Sequence, residues 1–302
     1  MKNDNTSKGA LITIGAGLLW GFSGCCSQYI FNNFTIAPIT LTSMRLITAG
    51  IILILLGFKK NGNSMLDIFK DHIGTVQLLL FSLLGMMMCQ LSYMISIDET
   101  NSGTATVLQY VGPIFIVIAG CFMSHRLPTK KELFSLLLTA LGVFFIATQG
   151  NIHSMVITHR GLIWGLISAF ALMLNNLLPV KILQKYGSIP VTGYGMLIGG
   201  LSLMLFFGTW KDTIPTETNF ILAFLGIAIL GTVISFTAYL YGLSLCGPVK
   251  ASMLSSVEPV SATIIMVVWL KVPLHPVTLI GFTCIITTIM ILTKPEKEKI
   301  SM

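Results

Sequence analysis

Polar and apolar positions along this chain do not form the one-sided stripes of surface helices. They come as long uncharged runs, close to the ~20 residues that a helix needs to cross the hydrocarbon of a bilayer. The runs predict helical spans at 9–30, 38–57, 73–97, 101–124, 133–149, 161–180, 190–210, 219–243, 247–270 and 275–293. A large water-soluble core would also be apolar, but its helices would carry a charged outer face, and these segments lack one. The span 133–149 is the shortest. The longest segment between spans is the polar stretch Phe58–His72, so no sizeable soluble domain is expected. The expected fold class is an all-α polytopic membrane protein.

The second half of the pattern repeats the first. A shift of 146 residues carries Gly85 onto Gly231, Tyr93 onto Tyr239, Ala105 onto Ala251, Leu108 onto Leu254 and Pro113 onto Pro259. Nearer the start the shift is 152, carrying Gly9 onto Gly161, Pro38 onto Pro190, Thr40 onto Thr192 and Met44 onto Met196. The difference places six extra residues in the first half, within Phe58–His72. The halves divide at 1–150 and 151–302. Each holds five predicted spans, and a copy that begins after five crossings lies inverted in the bilayer. Ten helices in two inverted five-helix repeats is an architecture from which many secondary transporters are built.

Composition agrees with a membrane protein. Charged residues make up 10% of the chain, against about 25% in a typical soluble domain, and the mean hydropathy is +0.86. On the ten-span reading, fourteen of the 18 Lys and Arg residues fall on the side that holds both termini. Only Arg160, Lys211 and Lys271 fall opposite, and Arg45 lies inside a span. The positive-inside rule then puts both termini in the cytoplasm, in a multi-pass cell-membrane protein. The net charge of +7 is read as topology and not as nucleic-acid binding. Met1–Lys8 is polar, and the run after it is too long for a signal-peptide core, so it is read as the first span. All six cysteines fall in spans without metal-ligand spacing and read as buried free thiols. No metal, cofactor or catalytic group is expected. Phosphate-cradling loops, nucleophile elbows and His/Glu zinc patterns do not occur.

Ionisable residues at mid-span carry the functional signal, because a charge there costs about 2.5–3.5 kcal/mol even on the lenient insertion scale. Arg45 and Glu258 are the two. Glu258 precedes Pro259, which removes a backbone donor and breaks the helix. The equivalent place in the first half is Gly112-Pro113, flanked by Gln109 and Tyr110. Helices broken at matching depth in two halves point to a binding site. Two readings of Glu258 stand side by side: a cavity carboxylate for a substrate amine or a proton, or a structural partner of Arg45. Arg45 maps onto Leu197, so the site is not symmetric. Trp20, Ser23, Gln90, Tyr93, Gln109, Tyr110, Asn175, Asn176 and Tyr239 are further cavity candidates, with Arg45, Pro113 and Pro259 as structural or coupling residues. The bland alternative for each Asn or Gln is an interhelical hydrogen bond worth about 0.6 kcal/mol. Gly17-x-x-x-Gly21 and Gly195-x-x-x-Gly199 suit close helix approach, and Met86, Met87 and Met88 suit adaptable packing.

The chain resembles the EamA-type branch of the drug/metabolite transporter superfamily. The resemblance rests on Gly9 to Trp20-Gly21, Pro38 to Arg45, the run from Gly103 to Pro113, and Lys250-Ala-Ser-Met-Leu-Ser-Ser-Val-Glu258-Pro259-Val260. It covers essentially all 302 residues. It implies two inverted five-helix repeats around a central cavity, no covalent cofactor, and export of amino acids or other small metabolites. Relatives commonly carry Gly-Glu at the end of the fourth and ninth spans, where this chain has Ser124-His125 and Lys271-Val272. Glu132 and Glu258 are the nearby acids left for any role that carboxylate has. The expected function is therefore alternating-access transport of a small metabolite, with an amino acid or related compound exported. Uptake of a vitamin, nucleoside or sugar is the alternative within transport, and a membrane-embedded enzymatic or structural subunit is the alternative outside it. Proton coupling and a homodimer are left open.

Overall fold

The computed structural model describes residues 2–123, 125, 127–151, 156–246, 254, 255 and 257–293. Side chains are described for all of these except 2–6, 113, 120, 123, 240, 243, 244, 246, 289, 292 and 293. Among the described residues every regular element is helical, and eight helices are long and apolar enough to cross a membrane. They are α1 (Lys2–Asn33), α2 (Pro38–Asn61), α3 (His72–Glu99), α4 (Ser102–Gln109 with Gly112–Met123), α5 (Lys130–Thr148), α6 (His159–Leu177), α7 (Ser188–Phe207) and α8 (Thr218–Leu225, Gly226–Ile234 and Ser235–Cys246 in one run). Two shorter apolar helices follow, α9 (Val257–Trp269) and α10 (Pro276–Thr293).

Local chemistry sets the boundaries. Pro38 opens α2 with its backbone angle already helical. Asn101 and Thr158 cap α4 and α6 by accepting from Thr104 N and Gly161 N. Thr129 and Glu132 cap α5 reciprocally, which accounts for Glu132. The sequence places the sixth span at 161–180, but α6 ends at Leu177 because Pro179 cannot continue it, and the short helix Val180–Tyr186 restarts behind it.

The polar stretch Phe58–His72 is not an open loop. It continues α2 to Asn61, turns through the 3-10 segment Gly62–Leu66 and forms a helical turn at Asp67–Lys70. Met65 and Ile68 are fully buried in a core shared with α2, α3 and α7. Two apolar anchors were hidden in a run whose other residues are mostly polar or exposed.

Small residues decide how closely helices meet. α2 packs most extensively on α7, where a Cβ on Gly50 would lie 2.7 Å from Leu197 N. α5 packs on α10 through Gly142 and Gly281, whose backbones nearly touch. α3 packs on α6, and α1 on both α8 and α9. The repeat shifts turn α3 on α6 into α8 on α1, and the contacts follow. Gly85 of α3 meets the backbone of Asn175, while its equivalent Gly231 meets Ser23, the equivalent of Asn175. Ser96 donates to Gly161 O at 3.3 Å, while its equivalent Gly242 sits against Gly9 O. The helices also change winding at the same place: Phe81–Met87 in α3 and Gly226–Ile234 in α8 are π-helical and coincide under the 146-residue shift. Such wide turns are rare and collect at functional positions.

α3 is tied at both ends, to the short helix Val180–Tyr186 that follows α6 and to the start of α6 itself. At one end Asp71, which caps α3, accepts from Lys185 Nζ at 2.7 Å and Tyr186 Oη at 2.6 Å. The Lys185 and Tyr186 bonds hold the Asp71 carboxyl well below the usual carboxylate range, and the same Asp71 bond raises the Lys185 ammonium. At the other end Glu99 pairs with Arg160 Nε at 3.3 Å and accepts from Thr158 Oγ1 at 3.2 Å.

Candidate functional site

Glu258 sits in the first turn of α9, against α1. A Cβ on Gly21 would fall 2.7 Å from Ala262 N and 2.9 Å from Glu258 O, so only glycine lets α1 lie this close. Opposite, α4 breaks. Tyr110 and Val111 leave the helix ahead of Gly112-Pro113, as the proline requires. The break turns Tyr110 toward α9, where its hydroxyl donates to Glu258 Oε2 at 2.9 Å, with Ser255 O a second acceptor at 3.2 Å. The expected matching break before Glu258 falls at Ser256, which lies outside the described residues, as do Lys250 to Met253 of the same motif and the side chain of Pro113. Pro259 is buried in α9.

Arg45 is 4% exposed in α2. Its Nε donates at 2.9 Å to Thr232 Oγ1, in the π-helical stretch of α8. No ion pair joins Arg45 to Glu258, although each lies within electrostatic reach of the other and of Tyr93. Tyr93 bonds Thr106 Oγ1 at 2.8 Å. Tyr239 lies near Tyr110 and against Trp20, whose ring centroid is 5.3 Å from the Tyr239 ring and 5.3 Å from that of Phe236. Six of the residues singled out in the sequence (Trp20, Arg45, Tyr93, Tyr110, Tyr239 and Glu258) thus meet in one cluster fed by six helices.

The others lie apart from it or at its rim. Gln109 donates to Ser168 Oγ at 2.6 Å and tethers α4 to α6, the interhelical role weighed against a cavity role for every amide. Ser23 is buried against Gly231. Gln90 is half-buried. Asn175 keeps a buried Oδ1 with no hydrogen-bond partner, a polar atom spare beside the α3 π-helix. Asn176 is exposed and bonds its own helix at Leu172 O, so it does not join the cluster. Cys25, Cys26, Cys89 and Cys121 are buried and free, Cys284 is half-buried and free, and the side chain of Cys246 lies outside the described residues.

Sequence reasoning missed the hydroxyl partners. Thr232, Thr106 and Ser168 are small residues of apolar spans, and only the packing shows that they serve the Arg45 guanidinium, the Tyr93 phenol and the Gln109 amide. It also missed that Gln28 accepts from both N and Oγ of Ser102, at 2.9 and 2.8 Å, stitching α1 to the start of α4. A separate open groove of about 270 Å³ lies between α1, α8 and α9, where Trp269 stacks on Phe22 and Tyr29. None of the charged cluster lines it.

The comparisons with known proteins agree with this geometry. The profile described as the EamA-like transporter family matches the chain twice, over residues 7–148 and 159–294. An uncharacterized inner membrane transporter of Salmonella typhimurium, YicL, is 32% identical over 295 residues, which is 98% of each chain. An uncharacterized transporter of Bacillus subtilis, YetK, is 25% identical over 86% of this chain and 80% of its own. A WAT1-related chloroplastic protein of Arabidopsis thaliana is 24% identical over 66% of this chain and 50% of its own. One solved crystal structure shares the fold, with a TM-score of 0.63 at 15% identity over 94% of this chain and 96% of its own. Long apolar helices, a paired arrangement of equivalent helices and a double match to one profile lead to a single assignment: the chain belongs to the EamA-like transporter family, as a multi-pass membrane transporter.

Proposed function

We propose that the protein is a secondary transporter of the cytoplasmic membrane that exports amino acids or related small metabolites by alternating access. In this reading ten spans form two inverted five-helix repeats, 1–150 and 151–302, with both termini in the cytoplasm. One repeat rocks against the other around the Arg45–Glu258 cluster. The observation that carries the reading is a buried Arg45 and a half-buried Glu258, opposite charges with no ion pair between them, where equivalent helices of the two halves meet. A buried charge without its counter-charge is costly, and a lipid-facing structure has no use for one. The matching π-helices and matched glycine contacts support a two-fold design with a shared centre.

Glu258 is the residue for the substrate amine or the coupling proton. Glu258→Gln is expected to abolish transport in reconstituted vesicles, or to remove its dependence on a proton gradient, while insertion and monodispersity stay unchanged. Normal flux at every pH in that variant would refute the role.

A further inference from the structure

Within an α-helix the hydroxyl of Ser or Thr reaches back three or four residues. Those of Thr13, Ser27, Ser82, Ser92 and Thr237 reach back four. Two hydroxyls of α8 reach back five: Thr232 Oγ1 donates to Ile227 O at 2.9 Å and Ser235 Oγ to Leu230 O at 2.6 Å. They lie in and directly after the π-helical stretch Gly226–Ile234, whose wider winding brings the fifth carbonyl into reach. Thr232 Oγ1 also accepts from Arg45 Nε at 2.9 Å. A hydroxyl has one proton, so with the guanidinium on one side of the oxygen that proton is turned to Ile227 O. α3 has the same winding without these fasteners: the equivalents of Thr232 and Ser235 are Met86 and Cys89, and that of Arg45 is Leu197. From this asymmetry we propose that the wide turn of α8 is a joint of the transport cycle, and that Arg45, acting through Thr232, is the latch that keeps it wide. The proposal rests on the carrier reading for the motion it serves, whereas the latch itself is a property of the helix winding.

A π turn holds one residue more than the α turn it replaces. Closing it carries the helix beyond it on by one residue relative to the part before, roughly 100° of rotation and about 1.5 Å along the axis. Beyond the joint stand Phe236 and Tyr239, each 5.3 Å from the Trp20 ring, and Gly242, packed on Gly9 O and Thr13. The winding therefore decides which residues α8 presents to α1. Arg45 keeps further N–H donors with no bond among the described residues, so an acceptor brought close to it competes with Thr232. Once Thr232 loses this charge-assisted bond, its hydroxyl is free to turn to the carbonyl four back, as at Thr237. Register shifts of a helix take microseconds to milliseconds, a range that suits a transport step. In α3 the wide turn is wedged by packing instead of held by a switchable bond. A Cβ on Gly85 would lie 3.0 Å from Asn175 Cα, and one on Gly199 would lie 3.1 Å from Ser82 O. Arg45 and Thr232 are thus positioning residues, and α8 is the helix they position.

The test reads the winding directly, in the full-length protein in lipid nanodiscs. With 3-fluorotyrosine at position 239, the wild type should give a main fluorine resonance displaced by the Trp20 ring, which Trp20→Leu identifies. Thr232→Val and Arg45→Gln are each expected to move population to a second resonance, the ratio falling by about tenfold for the loss of one hydrogen bond to a charged group. The double variant should do no more than either single one, because both cut the same bond. Thr232→Ser, which keeps the hydroxyl, should hold the wild-type ratio. A merely structural Arg45 or Thr232 would lower thermal stability and leave the resonance in place, and that result would overturn the proposal. Deletions check the joint itself. Leu230 is 37% exposed, and removing it takes the extra residue out of the wide turn while preserving the register beyond. Folding and the Tyr239 resonance should survive, and flux should fall to background. Removing Thr237, exposed and just beyond the joint in plain α-helix, displaces Gly242 and should lower thermal stability by much more. Equal loss of stability in the two deletions, or normal flux without Leu230, would also overturn the proposal. No flux of any solute by the wild type would sink the carrier reading instead, and the resonance ratios would still decide the latch.

Discussion

Two pairs of helices in this molecule are the same pair by sequence and differ in how they are held. α3 on α6 and α1 on α8 exchange under the repeat shifts, share a π-helical stretch and share the small-residue contact beside it. α3–α6 is pinned at one end by Asp71 with Lys185 and Tyr186 of the short helix that follows α6, and at the other by Glu99 with Arg160 and Thr158. The equivalents in α1–α8 are Glu217 with Asn33 and Phe34, then Leu245 with Lys8 and Thr6. Leu245 has no charge to offer, and Glu217 makes no side-chain cap where Asp71 makes one. An edge-on contact between Phe34 and Phe220, 5.5 Å between centroids, stands where the first tie stands in the other pair. Apolar contact is non-directional and tolerates sliding, whereas a hydrogen-bonded ion pair fixes geometry. The difference teaches that one copy of the pair is a frame fixed by hydrogen-bonded ion pairs, while the other, the free pair, lacks those ties among the described residues, with Thr232, which accepts from Arg45, and Tyr239, which packs on Trp20, on the free copy.

The largest effect is expected from filling the contact on the free pair. A Cβ on Gly231 overlaps the Ser23 side chain, and overpacking of this kind costs about 1–3 kcal/mol. Gly231→Ala should stop flux, and Ser23→Gly in the same chain should restore it, since the second change empties the space the first one fills. In the frame, Gly85→Ala meets the Asn175 backbone instead, and no side-chain truncation can rescue it. Flux measured across this double-mutant cycle in proteoliposomes checks both arms. A Gly231→Ala variant that transports normally would remove the α1–α8 contact from the mechanism.

Next in size is the effect of tethering. Cysteines at 71 and 185, joined by a flexible bis-thiol linker, replace a tie the frame already has, so flux should fall by less than about half on that argument. Cysteines at 217 and 33, joined by the same linker, add a tie to the free pair and should reduce flux to background. Equal inhibition by both linkers would show that the two pairs move alike.

Much of this was legible beforehand, and for a physical reason. Eight of the ten predicted spans match long apolar helices, because spanning a bilayer demands length and hydrophobicity that no other element shows. Arg45 and Glu258 stood out because charge at that depth is expensive. The frame did not stand out. Asp71, Lys185, Glu99 and Arg160 lie at span ends where charge is unremarkable, and 114 residues separate Asp71 from Lys185. Met65 and Ile68 were concealed by polar neighbours, and Asn176 looked like its neighbour Asn175 until helix geometry turned the two to different surroundings.

A smaller effect concerns the frame's response to pH. Asp71 is depressed, so its contribution is present above the ordinary carboxyl range of about 3.9 and is lost as pH falls below it. Lys185 is raised, so its contribution is present below about 10.4 and is lost as pH climbs beyond. Thermal stability in nanodiscs should therefore carry no step from this tie between about pH 5 and 9, with loosening near pH 3 that Asp71→Asn abolishes. A step near neutrality, removed by the same substitution, would contradict the assignment of the depressed carboxyl.

The smallest effect tests where the two halves agree. His125 and Lys271 are equivalent under the 146-residue shift, and both adopt left-handed backbone, with φ of 47° and 55°. Both halves therefore hold a residue with a side chain in a backbone region that favours glycine. The left-handed region costs a side-chain-bearing residue about 1–2 kcal/mol, less for histidine than for lysine. Glycine gives back part of that gain through the freer unfolded chain, about 0.4–1 kcal/mol. Lys271→Gly should therefore raise stability by up to about 1 kcal/mol, and His125→Gly by less, read as thermal unfolding in detergent at one protein concentration. Flux should not change in either variant, because neither residue belongs to the charged cluster or to the ties that separate the frame from the free pair. Destabilisation by Lys271→Gly would mean that the lysine side chain holds something its backbone angle alone does not reveal.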